Sequence, residues 1–380
     1  MNKLIVVLLA LFVVFHLGGG WYFSEELKND ALVPDHNPAT QDVIIDGISG
    51  SAVTLRAVEG TNPELAAPGV VGLDWGTGYG QLQSQMTTEP DGAVVRQLQR
   101  LTGDAPSPGT LARIDGFAFP SDPAMAFGLD YTDIEYPSTL GPMKAWRVLA
   151  QGETWVLHVH GLGASRGEAL RLMRPLAAEG YPQLVIDYRN DEGAPADPSG
   201  FNQFGKTEWE DVAAAVDYLV DQGAESVVLT GYSTGAAHIF SYLYQGRNPA
   251  VKAVVVDSPN LDFEQTVDLG ASQRSLPLIG LPIPGSLVWT AKRISSFRFG
   301  VDWNTTDYVP EAGLLDVPVL VIHGTDDDTV PLRSSQELAA ARPDLVQIAI
   351  VPGAGHVRSW NVSATTYEAT VINFLAGQLD

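Results

Sequence analysis

The chain has 380 residues, of which 45% are hydrophobic and 18% charged, a composition typical of a folded globular protein with a sizeable core. Its 22 basic and 45 acidic side chains give a formal net charge of −23. Such a chain repels phosphate backbones, so we expect no nucleic acid partner. The sequence contains no cysteine, which excludes disulfides, thiolate metal sites and a cysteine nucleophile.

Residues 1–30 are predicted to form a membrane anchor or a signal segment. Residues 4–23 are apolar and long enough to cross a lipid bilayer as one helix. Because Lys3 precedes this stretch and acidic residues follow it, the positive-inside rule places the rest of the chain outside the cytoplasm. We predict an uncleaved anchor in the cell membrane, since Trp21 resembles an interfacial residue and no A-x-A site is present. A signal peptide cleaved near the small residues 18–20, giving a secreted protein, remains the alternative.

The chain after this segment divides into two regions of different character. Residues 31–130 are rich in Gly, Pro and Thr, with short strand-like pieces between turn signals, and predict a β-rich amino-terminal region. Over residues 131–380, Val/Ile/Leu-rich strands alternate with helices, and this alternation predicts an α/β fold with a mostly parallel sheet and helices on both faces. Three S/T-x-x-E patterns predict helix starts by capping boxes, at Thr207/Glu210, Ser334/Glu337 and Thr365/Glu368.

One stretch interrupts the alternation of strands and helices. Residues 260–316 are apolar and broken by prolines, and they stand between two predicted core strands. An insertion of this size predicts a lid over the carboxyl edge of the sheet. A helical hairpin without a gating role would give the same pattern, and the sequence leaves both possibilities open.

The segment GYSTG, residues 231–235, follows the strand-like run SVVLT and precedes a predicted helix. Glycines on both sides of Ser233 permit a sharp turn that exposes its Oγ at the carboxyl edge of the sheet. The amino end of the next helix favours negative charge that develops there. Ser233 is therefore the candidate nucleophile.

A serine nucleophile needs a base that a third group orients. Two later loops supply these groups, and each follows a predicted strand: HGTDDDTVP contains residues 326–328, all Asp, and PGAGHVRSW contains His356. Both loops should leave the same sheet edge as Ser233. His356 is the candidate base, and one carboxylate of the Asp run would fix its tautomer. The run does not resemble a calcium loop, which spaces its ligands at alternate positions, and no metal is predicted.

Acyl transfer also needs N–H donors for the oxyanion. The backbone N–H of Thr234, directly after the candidate nucleophile, is one candidate. The second is the N–H of Leu162, in the glycine-containing GLGAS loop after the strand WVLHVH. His158 and His160 precede this loop, and we interpret them as structural hydrogen-bonding residues, since no acidic partner is evident.

Taken together, HVHGLGAS, GYSTG, HGTDDDTVP and GAGH resemble the oxyanion loop, nucleophile elbow, acid loop and histidine loop of the α/β-hydrolase family, in the family's order Ser, Asp, His. The resemblance covers residues 131–380 and implies an α/β-hydrolase sheet with a lid insertion. It implies a serine hydrolase without cofactor or metal, similar to bacterial esterase- and peptidase-like members. The family's acid-loop pattern HG-x-x-D-x-x-V-P places the acid at Asp327, and Asp257 is the alternative because some members carry the acid after that earlier strand.

The sequence thus predicts a membrane-anchored, extracytoplasmic serine hydrolase that cleaves a small carboxylic ester through an acyl-enzyme. A serine peptidase or amidase acting through the same triad is the nearest alternative. Amide cleavage demands more precise protonation of the leaving group and a peptide-binding cleft, which the sequence does not indicate.

Two alternatives belong to other classes of protein. GLGASRG, residues 161–167, lies between a strand and a helix with Asp187 after the next strand, which is the layout of an NAD(P)-binding oxidoreductase. That hypothesis leaves the triad candidates unexplained, and we interpret Asp187 and Arg189 instead as an ion pair that fixes a loop. A catalytically inactive binding module on the same fold is the other alternative, and the complete triad argues against it.

Overall fold

The computed structural model describes residues 3–277 and 279–379. The chain begins with helix α1, Lys3–Leu27, which continues as one wider π-helical turn, Lys28–Leu32. The combined helix has a mean hydropathy of 2.4 over its most apolar window, and most of its side chains are exposed. By length and composition it could cross a membrane.

Six strands form a closed barrel in the amino-terminal region. They are Val43–Ser49 (β1), Ala52–Ala57 (β2), Val71–Asp74 (β3), Gly78–Thr88 (β4), Val94–Gly103 (β5) and Leu111–Asp115 (β6). Their order around the barrel is β1-β2-β5-β4-β3-β6, with antiparallel pairing. Alternate apolar residues such as Ile45, Leu55 and Leu73 fill the interior. The predicted β-rich region is therefore a barrel whose closure leaves no open sheet edge.

A short helix α2, Pro123–Phe127, leads into an eight-stranded sheet. The strands are Thr132–Ser138 (β7), Gly141–Val148 (β8), Thr154–Val159 (β9), Gln183–Ile186 (β10), Ser226–Tyr232 (β11), Val251–Asp257 (β12), Val319–Gly324 (β13) and Val346–Val351 (β14). Their order is β14-β13-β12-β11-β9-β10-β8-β7. Strands β9 to β14 pair in parallel, while β7 and β8 are antiparallel at one edge. The predicted mostly parallel sheet is confirmed.

Helices cover both faces of this sheet, as the continuous apolar strands require. The remaining helices are Leu170–Ala178 (α3), Trp209–Asp221 (α4), Thr234–Tyr244 (α5), Phe263–Ser272 (α6), Gly285–Phe299 (α7), Leu332–Ala341 (α8), Ser359–Val362 (α9) and Ala364–Leu379 (α10). One apolar cluster packs α4 and α5 against one face, and a second packs α3 and α10 against the other. Leu157 and Leu229 belong to the first cluster, while Val156 and Val228, which alternate with them, belong to the second.

The three predicted capping boxes are wrong, although their helices exist. The Thr207 hydroxyl donates to Asp197 instead of capping α4, at 2.7 Å. Helix α8 begins at Leu332, two residues before Ser334, whose hydroxyl donates to the carbonyl of Pro331. Helix α10 begins at Ala364, one residue before the third predicted cap.

The insertion between β12 and β13 contains α6 and α7. Asp262 caps α6 by accepting the N–H of Gln265 at 3.1 Å. Lys292 of α7 forms ion pairs with Glu264 and Asp268 of α6, at 2.8 and 2.7 Å, which hold the two helices together. Helix α7 also packs along α1, so the amino-terminal helix and the insertion contact each other.

Candidate active site

GYSTG forms a sharp turn between β11 and α5, with Ser233 at its apex. The backbone of Ser233 has φ +49° and ψ −117°, which non-glycine residues rarely adopt. The flanking residues must be glycines because there is no room for a side chain at either position. A Cβ on Gly235 would lie 2.4 Å from the carbonyl oxygen of Val159, and one on Gly231 would lie 2.7 Å from Cδ1 of Ile239. Only glycine at both positions lets the turn pack this closely on the sheet.

The structure brings Ser233, Asp327 and His356 together at the carboxyl edge of the sheet. The loop after β13 carries Asp327, and the loop after β14 carries His356. The Nε2 of His356 lies 2.8 Å from Ser233 Oγ. Its Nδ1 lies 2.9 and 3.1 Å from the two carboxylate oxygens of Asp327. This is the relay of nucleophile, base and orienting acid that acyl transfer needs.

The Asp327 carboxylate is completely buried and accepts several hydrogen bonds. The N–H groups of Thr329 and Val330 donate to its Oδ1, at 3.0 and 2.8 Å. Burial alone would raise the pKa of Asp327, but hydrogen bonds from His323 and His356 outweigh burial and hold the pKa well below its usual range. The carboxylate is therefore ionised at neutral pH and can stabilise an imidazolium at His356.

His323 is a part of the site that the sequence analysis did not identify. Its Nε2 lies 3.1 Å from the carbonyl oxygen of Val330 and 3.2 Å from an oxygen of Asp327, and its Nδ1 lies 2.8 Å from the hydroxyl of Ser335. Because both groups facing Nε2 are acceptors, this nitrogen carries the proton. The histidine at the start of HGTDDDTVP was visible in the sequence, but its role depends on how the loop turns back.

Asp257, the alternative acid, does not contact His356. Its carboxylate accepts the hydroxyl of Ser359 at 3.0 Å, and its second oxygen has no hydrogen-bond partner among the described residues. Burial raises the pKa of Asp257 to about 6, against the opposing effect of the nearby Arg171. Its backbone oxygen accepts the N–H of Ser233 at 3.0 Å. The geometry therefore favours Asp327 as the acid.

The two predicted oxyanion donors lie near Ser233. Thr234 is the first residue of α5, and Leu162 lines the same cavity of about 330 Å³ as Ser233 and His356. A Cβ on Gly161 would lie 3.0 Å from the Cβ of Ser233, so the GLGAS loop passes directly beside the candidate nucleophile. Within the described chain, the N–H groups of Thr234 and Leu162 have no recorded acceptor.

A buried ion pair links the GLGAS loop to the histidine loop. Glu168 accepts the N–H of Gly161 at 2.8 Å and pairs with Arg171 at 3.3 Å. Arg171 in turn donates to the backbone oxygen of Val357, next to His356. These residues position the two loops relative to each other. No local pattern in the sequence singles out Glu168 or Arg171, since both belong to an ordinary amphipathic helix pattern.

The barrel forms one wall of the active-site cavity. Residues 113–117, at the end of β6 and beyond it, line the cavity together with Arg358 of the histidine loop. Gly116 leaves room for that side chain, since a Cβ there would lie 2.0 Å from Nη1 of Arg358. Arg358 also pairs with Glu64 of the barrel region at 2.7 Å. The amino-terminal region thus shapes the space in front of Ser233.

The loop after β10 differs from the sequence prediction. Asp187 pairs with Arg166 at 3.0 Å, whereas Arg189 pairs with Asp211 at 2.7 Å, so the predicted Asp187–Arg189 ion pair is wrong. Since Arg166 occupies the Asp187 carboxylate, that group is not free to bind a ribose.

The two histidines of β9 and its end behave differently. His158 is buried between Gln183 and Thr230, as expected of a structural residue, and burial lowers its pKa to about 4. His160, however, has the acidic partner that the sequence did not reveal, since its Nε2 lies 2.9 Å from Asp191. Burial lowers the pKa of His160, but the Asp191 carboxylate outweighs burial and raises the pKa to about 9. His160 is thus a buried cation.

The fold and this constellation define a hydrolase of the α/β type. Residues 156–369, more than half of the chain, match the alpha/beta hydrolase family, and the chain belongs to that family. It is 22% identical over 245 residues to the uncharacterized protein YfhR of Escherichia coli O157:H7, covering 64% of this chain and 75% of YfhR. It is 28% identical over 200 residues to the bifunctional esterase/perhydrolase DCH of Acinetobacter calcoaceticus, covering 43% and 69%.

Solved structures show the same fold. The esterase Pf2001 of Pyrococcus furiosus superimposes with a TM-score of 0.54 at 21% identity, over 69% of this chain and 98% of the esterase. A puromycin-hydrolyzing peptidase of Mycobacterium tuberculosis gives a TM-score of 0.51 at 19% identity, over 80% of this chain and 47% of the peptidase. The predicted α/β-hydrolase fold is confirmed.

Proposed function

We propose that this hydrolase uses Ser233, His356 and Asp327 to cleave a carboxylic ester through an acyl-enzyme. One observation carries the proposal: Ser233 Oγ lies 2.8 Å from His356 Nε2, and the opposite nitrogen of that ring lies 2.9 Å from the buried Asp327 carboxylate. Nucleophile, base and orienting acid are therefore in hydrogen-bond contact before any substrate binds.

The chemistry follows from this geometry. Ser233 Oγ attacks the acyl carbon while His356 takes its proton, and the N–H groups of Thr234 and Leu162 stabilise the oxyanion. His356 then gives the proton to the departing alcohol oxygen. Water attacks the acyl-enzyme, His356 takes one proton from it, and the carboxylic acid leaves as Ser233 regains its hydrogen. The net reaction consumes one ester and one water and gives one acid and one alcohol.

An ester is favoured over an amide by the chemistry of the leaving group. An alkoxide leaves more readily than an amide nitrogen, which must be protonated with precise geometry. One relative of the chain, the bifunctional esterase/perhydrolase DCH, supports the same choice. Comparing hydrolysis of a p-nitrophenyl ester with that of the matching p-nitroanilide tests it. Faster turnover of the anilide would make the protein an amidase on the same triad.

We further propose that residues 4–23 anchor the protein in the cell membrane, with the catalytic region outside the cytoplasm. Helix α1 is apolar, long enough to span a bilayer and largely exposed along its first half. Lys3 at its start and Glu25 near its end give the charge asymmetry of a helix whose amino terminus faces the cytoplasm. In this proposal residues 1–30, 31–130 and 131–380 are the anchor, the barrel region and the hydrolase domain.

Labelling of the full chain by a fluorophosphonate probe tests the nucleophile. The probe phosphonylates activated serines, so we expect the wild-type protein to be labelled and Ser233→Ala to lose labelling completely. Ser241→Ala is the matched control, since Ser241 is a buried serine of α5, the helix that follows Ser233, and has no hydrogen bond to His356. Persistent labelling of folded Ser233→Ala would refute the elbow assignment, and no labelling of the folded wild type would refute an assembled triad.

A further inference from the structure

Helix α7 of the insertion runs parallel to α1 and packs closely on its outer half. His16 of α1 lies 2.9 Å from the hydroxyl of Ser286, at the start of α7. One turn further, Gly20 leaves room for Thr290, because a Cβ at Gly20 would lie 2.8 Å from its Cγ2. At the upper end, Arg298 pairs with Glu25 at 2.6 Å. The contacts therefore advance together along both helices.

These contacts fix how deep α7 lies relative to the apolar span of α1. His16 is seven residues before the end of the span at residue 23, which corresponds to about 10 Å of helix. Ser286, which bonds to His16, lies at the same level. Arg274, which precedes the turn between α6 and α7, instead pairs with Asp30, beyond the span. After Arg274 the chain first turns back on itself, since the N–H of Leu276 donates to the carbonyl oxygen of Leu281 at 2.7 Å. It then continues to Ser286, which lies about 20 Å below Asp30 along α1.

The segment from residue 275 to residue 291, which includes the start of α7, has the chemistry of a lipid-facing surface. Residues 275–291 contain no charged side chain. Leu281 is 60% exposed and Trp289 is 57% exposed, although both are large and apolar. Arg293 lies over the ring of Trp289, 5.4 Å from its centroid, where the apolar stretch gives way to charged residues. An aromatic residue beside a cation at this boundary is typical of the membrane interface.

We infer that the apolar surface formed by Leu281 and Trp289 is embedded in the outer leaflet beside α1, and that acyl chains of membrane lipids cover these two side chains. The inference rests on the proposed anchoring of α1, and it adds a second membrane contact made by the insertion itself. Lipid is the occupant because the surface is continuous with the exposed apolar face of α1 and ends at the same level as its charged flank. The catalytic domain is then held against the bilayer through its insertion.

Single-cysteine labelling tests this inference directly, since the chain has no native cysteine. In the full-length variants Leu281→Cys and Trp289→Cys, an environment-sensitive fluorophore is attached to the new cysteine. The labelled proteins are then reconstituted in phosphatidylcholine vesicles that contain nitroxide-labelled lipids. Val14→Cys, 68% exposed in α1, reports whether α1 spans. Leu149→Cys is the matched control, 67% exposed and directly after β8, which lies next to the edge strand β7 at the end of the sheet away from the insertion.

We expect nitroxide lipids to quench labels at residues 281 and 289 as strongly as the label at residue 14, and to leave the label at residue 149 unquenched. Quenching at residue 14 without quenching at residues 281 and 289 would overturn the inference and leave the anchor intact. No quenching at residue 14 would overturn both. Labels at 281 and 289 that are shielded from aqueous iodide but not quenched by nitroxide lipids would show coverage by a second copy of the chain, which also overturns it.

Discussion

Ser233, Ser258 and Val357 all have positive φ values, between +49° and +50°, and each lies in a loop at the carboxyl edge of the sheet. A non-glycine residue in this region costs about 1–3 kcal/mol and persists only where surrounding contacts impose it. Here the contacts are visible, since the hydroxyl of Ser258 accepts the N–H of Val357 at 3.0 Å. Backbone strain is thus present at the point where the candidate nucleophile and base meet.

The choice between the two candidate acids can be tested at the residue level. Asp327→Asn should lower kcat by roughly 10³–10⁴, because the amide can no longer hold the His356 tautomer or stabilise its cation. Asp257→Asn should retain most activity, since its carboxylate does not contact His356. Turnover of a p-nitrophenyl ester measures both. Loss of activity in folded Asp257→Asn with activity kept in Asp327→Asn would reverse the assignment.

His160 should make the stability of the folded protein depend on pH in the alkaline range. Its folded-state pKa of about 9 exceeds the ordinary value of 6.5, so its contribution is complete below pH 6.5 and is lost as pH rises through 9. We expect the unfolding free energy to fall by on the order of 1–3 kcal/mol between pH 6.5 and 9.5. Denaturant titrations of the wild type and His160→Gln at several pH values would measure this.

His158→Gln is the control for that experiment. The pKa of His158 is lowered to about 4, so the residue is neutral throughout the alkaline window. Its replacement should shift the whole stability curve without changing the slope above pH 6.5. If His160→Gln keeps the wild-type slope, the buried cation at residue 160 is not the cause.

Local sequence patterns predicted the triad residues of the candidate active site. The side chains that hydrogen-bond to the triad or to its neighbouring loops became visible only in the folded structure. Ser233 and His356 each follow a strand directly, so the rule that parallel strands end at one edge brings them together. His323 and Asp191 depend on how their loops fold back, and Glu168 depends on a helix that packs beside the elbow. No spacing in the sequence encodes such contacts.

At the level of elements, the elbow depends on the absence of a side chain. Gly235→Ala would place a methyl group 2.4 Å from the Val159 oxygen and 2.5 Å from the His160 oxygen, both part of the backbone. We expect a loss of at least about 2 kcal/mol of stability and loss of fluorophosphonate labelling. Thermal unfolding and labelling of the purified variant measure the two effects.

Gly377→Ala in α10 is the matched control. Nothing lies within 4 Å of a Cβ there, and the backbone is helical. Its stability should stay equal to the wild type or rise by up to about 1 kcal/mol, as alanine favours helix. Equal stability losses in the two variants would show that close packing at the elbow is not what requires glycine.

The elements themselves were predictable to different degrees. Alternating strands and helices appear in the sequence because each strand is buried on both faces, as Leu229 and Val228 of β11 illustrate. The closure of the barrel does not appear in the sequence, because β1 pairs with β6 across about 65 intervening residues. The capping boxes failed since competing partners, such as Asp197 for Thr207, are visible only after folding.

At the level of the whole molecule, Asn361 of α9 connects the barrel to the region of the eight-stranded sheet through hydrogen bonds. Its side-chain amide donates to the carbonyls of Val70, just before β3, and Gly116, just after β6, at 2.7 and 2.9 Å. Asn361→Ala should lower the unfolding free energy by about 1–3 kcal/mol, because two partly buried acceptors lose their donor. Chemical denaturation followed by tryptophan fluorescence would show the change.

Asn304 provides the comparison, since both asparagines begin an N-x-S/T pattern but Asn304 is exposed. Asn304→Ala should change stability by less than about 0.5 kcal/mol. A similar small effect for Asn361→Ala would mean that the barrel is held by other contacts, such as the pair between Arg358 and Glu64.

The packing of α1 on α7 also bears on the order of events during synthesis. Gly20 emerges from the ribosome about 265 residues before α7, which at about 5–20 residues per second is roughly 13–50 s. During this interval the small residues 18–20 are uncovered, and a processing peptidase could reach them. Once Thr290 and Ile294 have packed against Gly20, that stretch is held in a helix between neighbours. Retention of the amino-terminal helix then depends on whether α7 packs against Gly20 before a peptidase cleaves the chain there.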